Sequence, residues 1–140
     1  MALFTISEDE GERAAMMSTK AHETYQRNQV QTASPGELTL MLYNGLVKFI
    51  KQAKSALENN QIEQSHAYIL RAQDIITEFM VSLNMEIEIS KELLPLYDYM
   101  KQGLIEANLR KDPIKLAEME EMAVELRDTW IQVIKLAKQK

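Results

Sequence analysis

The sequence predicts an all-α protein, an antiparallel up-down four-helix bundle preceded by an N-terminal arm or short helix. Apolar residues recur at helical spacing over long stretches separated by a few polar residues, the pattern of helices that each bury one stripe. Two of those stretches open on paired start signals, Ser34-Pro35 and Asp112-Pro113. With 3 Pro and 4 Gly in 140 residues, turn formers are too scarce for a strand-rich domain. Hydrophobic residues make up 46% of the chain and aromatics only 6%, with 9 Met, a mixture that suits aliphatic helix packing. This length predicts one domain, able to bury about two-thirds of the surface its unfolded chain exposes.

Residues 1–30 read as an extension and arm, residues 31–140 as the bundle. Ser7-Glu8-Asp9-Glu10 has capping-box spacing, and Glu12 to Met17 has the length of a short helix, marginal unless docked. Met17-Ser18-Thr19-Lys20 also reads as a native start, so residues 1–16 fit an extension and an expression remnant equally. From Lys20 to Gln31 the chain is polar apart from Ala21, Tyr25 and Val30, as expected of an arm ordered by contact with the body.

Helix one is expected from Pro35 to about Glu58, closed by Asn59-Asn60. Ser34 is placed to cap it, Pro35 suits its first turn, and Glu37 stands at the reciprocal position of a capping box. Leu38, Leu42, Leu46, Phe49, Ala53 and Leu57 form its stripe, and Leu40, Val47 and Ile50 beside them predict burial on more than one side. Gly45 costs about 1 kcal/mol relative to Ala at mid-helix, which points to close approach of another backbone. Helix two is expected over about Ile62 to Asn84, with Ile62, Ile69, Ile76, Met80 and Leu83 as one stripe and Leu70, Ile75 and Phe79 widening it. Helix three should cover about Ser90 to Arg110, with Ser90 as cap and Pro95 within its first two turns. An earlier start would let Pro95 kink it. Leu93, Leu96, Tyr97, Met100, Leu104 and Ala107 make its inward face. Helix four begins at Pro113, capped by Asp112, and runs to about Ala137 on Leu116, Met119, Ala123, Leu126, Trp130, Val133 and Leu136-Ala137. Its early glutamates and late lysines complement the helix dipole.

A net charge of −5 speaks against nucleic acid, which demands a clustered basic face. The absence of Cys excludes disulfides, thiol catalysis and thiolate zinc sites. The N-terminus turns acidic after Ile6 instead of opening on a basic, then apolar, signal, and no apolar run is long enough to span a bilayer. The expectation is a soluble, cytoplasmic protein with no membrane insertion.

Glu63-Gln64-Ser65-His66 has the Glu-x-x-His spacing that di-iron bundles use twice, but His22 has no glutamate three residues before it. No nucleophile elbow or phosphate-cradling glycine loop is present. Neither an enzyme nor a cofactor is expected. What remains is apolar surplus: Leu40, Tyr43, Val47, Ile50, Leu94, Tyr99 and Ile105 are left after the main stripes are assigned. Wider stripes over a thick core explain them, and so does a groove for another protein's amphipathic helix.

Several motifs in order, Tyr25, Asn28 to Leu38, Met41-Leu42-Tyr43-Asn44-Gly45, Leu83-Asn84, Leu96 to Met100, Ala107-Asn108 and Leu126 to Trp130, resemble those of FliS, the export chaperone of bacterial flagellin. The likeness runs from about Tyr25 to the C-terminus, and residues before about Met17 lie outside it. It implies a cytosolic helical bundle that holds the disordered C-terminal segment of flagellin, prevents premature polymerisation and supports export. Contacts with export-gate or regulatory proteins are implied as well, and a monomer or weak dimer when free. Carried onto this chain, it places Tyr25 in an arm near the groove. It also implies Leu42, Tyr43, Gly45, Leu83, Asn84, Leu96, Tyr97, Tyr99 and Met100 as partner-binding residues or groove walls, and Leu104 and Ala107 are counted among the partner-binding residues with them. Ser34, Pro35 and Trp130 are assigned structural roles. A self-associating adaptor that uses the same apolar surface is the alternative from another class.

Overall fold

The computed structural model describes residues 34–139, which contain four α-helices and no strand. They are α1 (Pro35–Glu58), α2 (Ile62–Ser82), α3 (Glu88–Arg110) and α4 (Pro113–Lys138). The start signals work as written. Ser34 is extended, Pro35 sits in the first turn, and Ser34 Oγ accepts the Glu37 N–H at 3.2 Å. Asp112 Oδ1 accepts the N–H groups of Ile114 at 3.0 Å and Lys115 at 3.2 Å. The α1–α2 and α3–α4 turns each contain one left-handed residue, Asn60 (φ 58°) and Lys111 (φ 53°).

Consecutive helices pack side by side and α4 returns to α1, closing the ring. The pairings run in opposite senses. Ala53 lies by Ser65, whose Oγ donates to the Ala53 carbonyl at 2.9 Å, whereas Tyr43 lies by Phe79. This is the up-down bundle that the four amphipathic patterns predict. Its innermost side chains include Leu46, Ile50, Ile69, Ile76, Met100, Leu104, Leu116 and Met119. α1 packs on both α2 and α4, so Val47 and Ile50, surplus to one stripe, are core. An ion pair from Lys54 Nζ to Glu120 Oε1 at 2.8 Å joins α1 to α4. Among the described residues no helix is long and apolar enough to cross a membrane.

Three local expectations need correction. Helix two ends at Ser82, and Asn84 is a turn former. Its Oδ1 accepts the Glu86 N–H at 3.0 Å while its carbonyl accepts the Ile87 N–H at 3.0 Å. A short amide side chain that bonds its own backbone competes with helix and reverses the chain early. Helix three consequently begins at Glu88, with Ile87 at the cap position. Ser90 is not the cap: it is buried in the first turn and its N–H donates to the Ile87 carbonyl at 3.0 Å. Pro95 then falls inside the helix on an exposed position, where its missing N–H deprives the Lys91 carbonyl of an intrahelical donor.

The third correction concerns α4. Leu116, Met119 and Ala123 are buried and Leu126 and Trp130 half-buried, but Val133, Leu136 and Ala137 are exposed. Gly36, in the first turn of α1, lies against Ile134. Beyond that level α1 offers no further described turn for α4 to pack on.

Candidate partner-binding site

The two ends of the bundle differ. At the end holding the α1–α2 and α3–α4 turns, core side chains such as Ala53, Ala56, Ala107 and Leu116 are almost fully buried, and the exposed apolar residues there, Ile62, Leu109 and Ile114, stand apart from that core. At the other end, which gathers the start of α1, the α2–α3 turn and the end of α4, apolar side chains are only half covered. Leu38, Leu40, Met41, Met80, Leu83, Leu93, Leu94, Leu96, Trp130, Ile131 and Ile134 are all of intermediate exposure. Half-covered aliphatic side chains from all four helices at one end constitute an apolar mouth, the kind of surface that takes a partner helix.

An aromatic layer floors this mouth. Tyr43 on α1 and Phe79 on α2 lie 4.5 Å apart between ring centroids, and Phe79 stacks on Tyr97 of α3 at 5.3 Å. Trp130 on α4 lies 6.4 Å from Tyr43. The Tyr43 and Tyr97 hydroxyls share a hydrogen bond of 2.7 Å across the core. Burial pushes both phenols above their ordinary value, and the bond to Tyr43 raises Tyr97 further. Both therefore ionise above the range where free tyrosine does. Trp130 Nε1 donates to the Gly36 carbonyl at 2.9 Å, fixing the end of α4 to the start of α1.

Against this geometry the residues implied by the resemblance separate into groups. Leu42, Tyr43, Tyr97, Met100, Leu104 and Ala107 are buried core. Gly45 lies where a Cβ would come within 3.3 Å of Ile75 Cδ1, so what it admits at the α1–α2 contact is the end of a side chain and not the second backbone that the sequence suggests. Leu83 and Leu96 are half-buried at the mouth, and Asn84 lies exposed beside it. Tyr99 is exposed on the outer α3–α4 seam: its hydroxyl donates to Glu118 Oε2 at 2.6 Å, and Lys115 Nζ stands 3.0 Å from Glu118 Oε1. Tyr25 and the arm lie outside the described residues. Tyr43 and Tyr97, 54 positions apart, are the pair brought into direct contact.

The sequence places Leu38, Met80, Val133 and Leu136 in core stripes and does not single out Ile131 or Ile134, whereas the structure leaves Leu38, Met80, Ile131 and Ile134 half-buried at the rim and Val133 and Leu136 exposed. The available signal was register: in an up-down bundle the first turn of helix one must face the last turns of helix four. His66 of the Glu-x-x-His motif is exposed and its Nδ1 lies 2.8 Å from Asn108 Nδ2, bridging α2 to α3. Among the described residues no group of three or more His, Asp or Glu could hold a metal ion.

The family model for flagellar protein FliS matches residues 17–137. The chain belongs to the FliS family of flagellar secretion chaperones. It is 46% identical over 113 residues to the flagellar secretion chaperone FliS of Bacillus subtilis (strain 168), covering 81% of this chain and 85% of that one. FliS of Campylobacter jejuni (serotype O:6, strain 81116) is 32% identical over 120 residues, covering 84% of this chain and 94% of its own. A solved structure described as a flagellar chaperone from bacteria superposes with a TM-score of 0.68 at 16% identity, over 84% of this chain and 98% of that one, which speaks to the fold. FliS is a chaperone family without enzymatic activity, and the arm-to-terminus extent of the match agrees with the motifs quoted above.

Proposed function

We propose that this protein is a cytosolic export chaperone that captures the disordered C-terminal segment of flagellin. Held in this way, the segment cannot polymerise prematurely and the subunit remains competent for export. The match to the FliS family over residues 17–137 carries the reading. The apolar mouth supports it physically: rim side chains such as Leu83, Leu93, Leu96 and Ile134 lose their remaining water when an amphipathic helix lies over them, at roughly 25 cal/mol per Å². A partner that folds as it binds can wrap a large surface while giving up part of its affinity to ordering. No cofactor, nucleic acid or membrane takes part.

In this reading Leu83, Asn84 and Leu96 touch the flagellin segment. Tyr43, Tyr97, Met100, Leu104 and Ala107 hold the floor and walls from behind, together with Leu42 and Gly45. Tyr25 and its flanks cover the mouth until flagellin displaces them, and export-gate or regulatory proteins engage the loaded complex. Titration calorimetry with a peptide from the C-terminal end of flagellin tests the core claim. Saturable one-to-one binding, a negative heat-capacity change and a parallel gain of helix are expected. Absence of heat at several temperatures with no helix gained would remove flagellin capture. A Tyr25→Ala variant should bind the peptide more tightly; unchanged affinity would leave the arm without a covering role.

A further inference from the structure

The chain has no Cys, so sulfur oxidation can fall only on its 9 Met. Among the described residues these methionines stand in different environments. Met100 and Met119 are 0% exposed, at the centre of the bundle. Met41 on α1 and Met80 near the end of α2 are half-buried at the apolar mouth, and Met85, in the α2–α3 turn beside it, is 44% exposed. Met80 follows Phe79 of the aromatic floor and packs against the core, as do Leu83 and Leu93. Met122 is half-buried on α4 beside Ala123, about two turns short of Trp130 and away from the mouth. The thioethers of the mouth meet water, and the innermost ones do not.

We propose that Met41, Met80 and Met85 are reversible oxidation sites, and that their conversion to sulfoxides by hydrogen peroxide weakens the grip of the mouth on its partner helix. The proposal rests on the flagellin-capture reading above. A thioether sulfur takes one oxygen from the peroxide as the O–O bond breaks. The sulfur is oxidised by two electrons, and the other oxygen leaves as water. The product is a polar, chiral side chain with an acceptor oxygen, where a flexible apolar one stood. In the free protein a sulfoxide at these positions turns its oxygen to water. Beneath an amphipathic helix it faces apolar side chains, and an acceptor buried without a donor opposes binding. Methionine sulfoxide reductases, one for each epimer, restore the thioether, so the change is reversible. Met100 and Met119 are shielded, so the fold outlasts the modification.

Limited hydrogen peroxide treatment of the full chain, quenched before any peptide is added, tests the proposal. Peptide mapping by mass spectrometry should find sulfoxide at Met41, Met80 and Met85 while Met100 and Met119 stay unmodified and helicity is unchanged. Titration with the flagellin C-terminal peptide should then show an affinity about tenfold weaker or more, the effect of one buried acceptor left unpaired. Reductase treatment should recover it. A variant combining Met41→Leu, Met80→Leu and Met85→Leu, checked for unchanged helicity, should bind alike before and after peroxide, even with Met122 oxidised. Each single substitution, milder for the fold, should recover part of the loss. Oxidised protein that binds as tightly as untreated protein would overturn the proposal. So would modification of Met100 or Met119 ahead of the mouth, or a triple variant that peroxide weakens as much as the unsubstituted chain. Untreated protein that ignores the peptide would remove flagellin capture and this consequence of it together, and the oxidation map then decides the sites by itself.

Discussion

The hydroxyls of Tyr43 and Tyr97 meet at 2.7 Å across the bundle core, joining α1 to α3, helices that are not neighbours in the ring. Each tyrosine satisfies the other in a place from which water is excluded. Replacing either one by Phe leaves a buried hydroxyl alone, at about 1–3 kcal/mol, whereas replacing both removes the need for the bond. Urea unfolding of Tyr43→Phe, Tyr97→Phe and the double variant should give a double-variant loss smaller than the sum of the singles.

The same burial predicts an alkaline limit. Burial raises both phenols above the ordinary tyrosine value, so between the unfolded and folded values the native state holds protons the unfolded chain has lost. Stability from this pair is therefore complete below pH about 10 and falls as pH rises above it. Tyrosinate absorbance during an alkaline titration should show Tyr43 and Tyr97 ionising above the range where free tyrosine does. Their smooth titration near pH 10 in folded protein would contradict the burial.

Two helix-interior glycines separate in expected cost. A Cβ at Gly103 would stand 2.5 Å from Met119 Sδ and 2.9 Å from Met119 Cε, in the middle of the α3–α4 contact. Gly103→Ala should lose about 1–3 kcal/mol to overpacking, less the gain in helix propensity. In a Met119→Ala background the clash disappears and the substitution should cost less or stabilise. At Gly45 the contact is the end of Ile75, at 3.3 Å, so the propensity gain of about 1 kcal/mol should leave Gly45→Ala near neutral. Thermal unfolding of the variants reads all of this.

On the outer seam, Tyr99 and then Lys115 hold the Glu118 carboxyl below its ordinary value by hydrogen bonding. Whatever the group contributes to stability is present above the unfolded carboxylate range and is lost as pH falls through the folded value. Tyr99→Phe removes the larger of these bonds, so the Glu118 side-chain carbon should titrate at higher pH by NMR. An unmoved titration would assign the shift to Lys115 alone.

The 1 Trp of the chain stands at the mouth, half-buried and bonded to Gly36. Its fluorescence should shift to the blue when a flagellin C-terminal peptide covers the rim. Unshifted emission at saturation would place the bound segment elsewhere on the bundle.

Local rules wrote much of this fold openly. Ser34-Pro35 and Asp112-Pro113 start helices because each combines a cap acceptor with a residue that needs no donor, and neither depends on the rest of the molecule. Ser90 looked like the same signal but is buried, and its place was decided by Asn84 turning the chain two residues earlier. Core and binding surface were harder to separate, since both are written in the same apolar letters. Met100, Leu104 and Ala107 on α3 are fully buried while Leu96 on the same face is half covered. That difference comes from where the neighbouring helices stop, which no residue encodes by itself. Val133 and Leu136 show the converse, a faithful stripe left exposed where, among the described residues, no neighbouring turn covers it.

That overrun has a consequence in time. Amide protons are released by local opening, and opening is easiest where few apolar contacts must be broken. The backbone of α4 around Leu116 to Ala123, sunk in the core, should exchange only with global unfolding, while the turns beyond Trp130 should exchange orders of magnitude sooner. The core level of α4 and its last turns then answer to different openings, global for the one and local for the other.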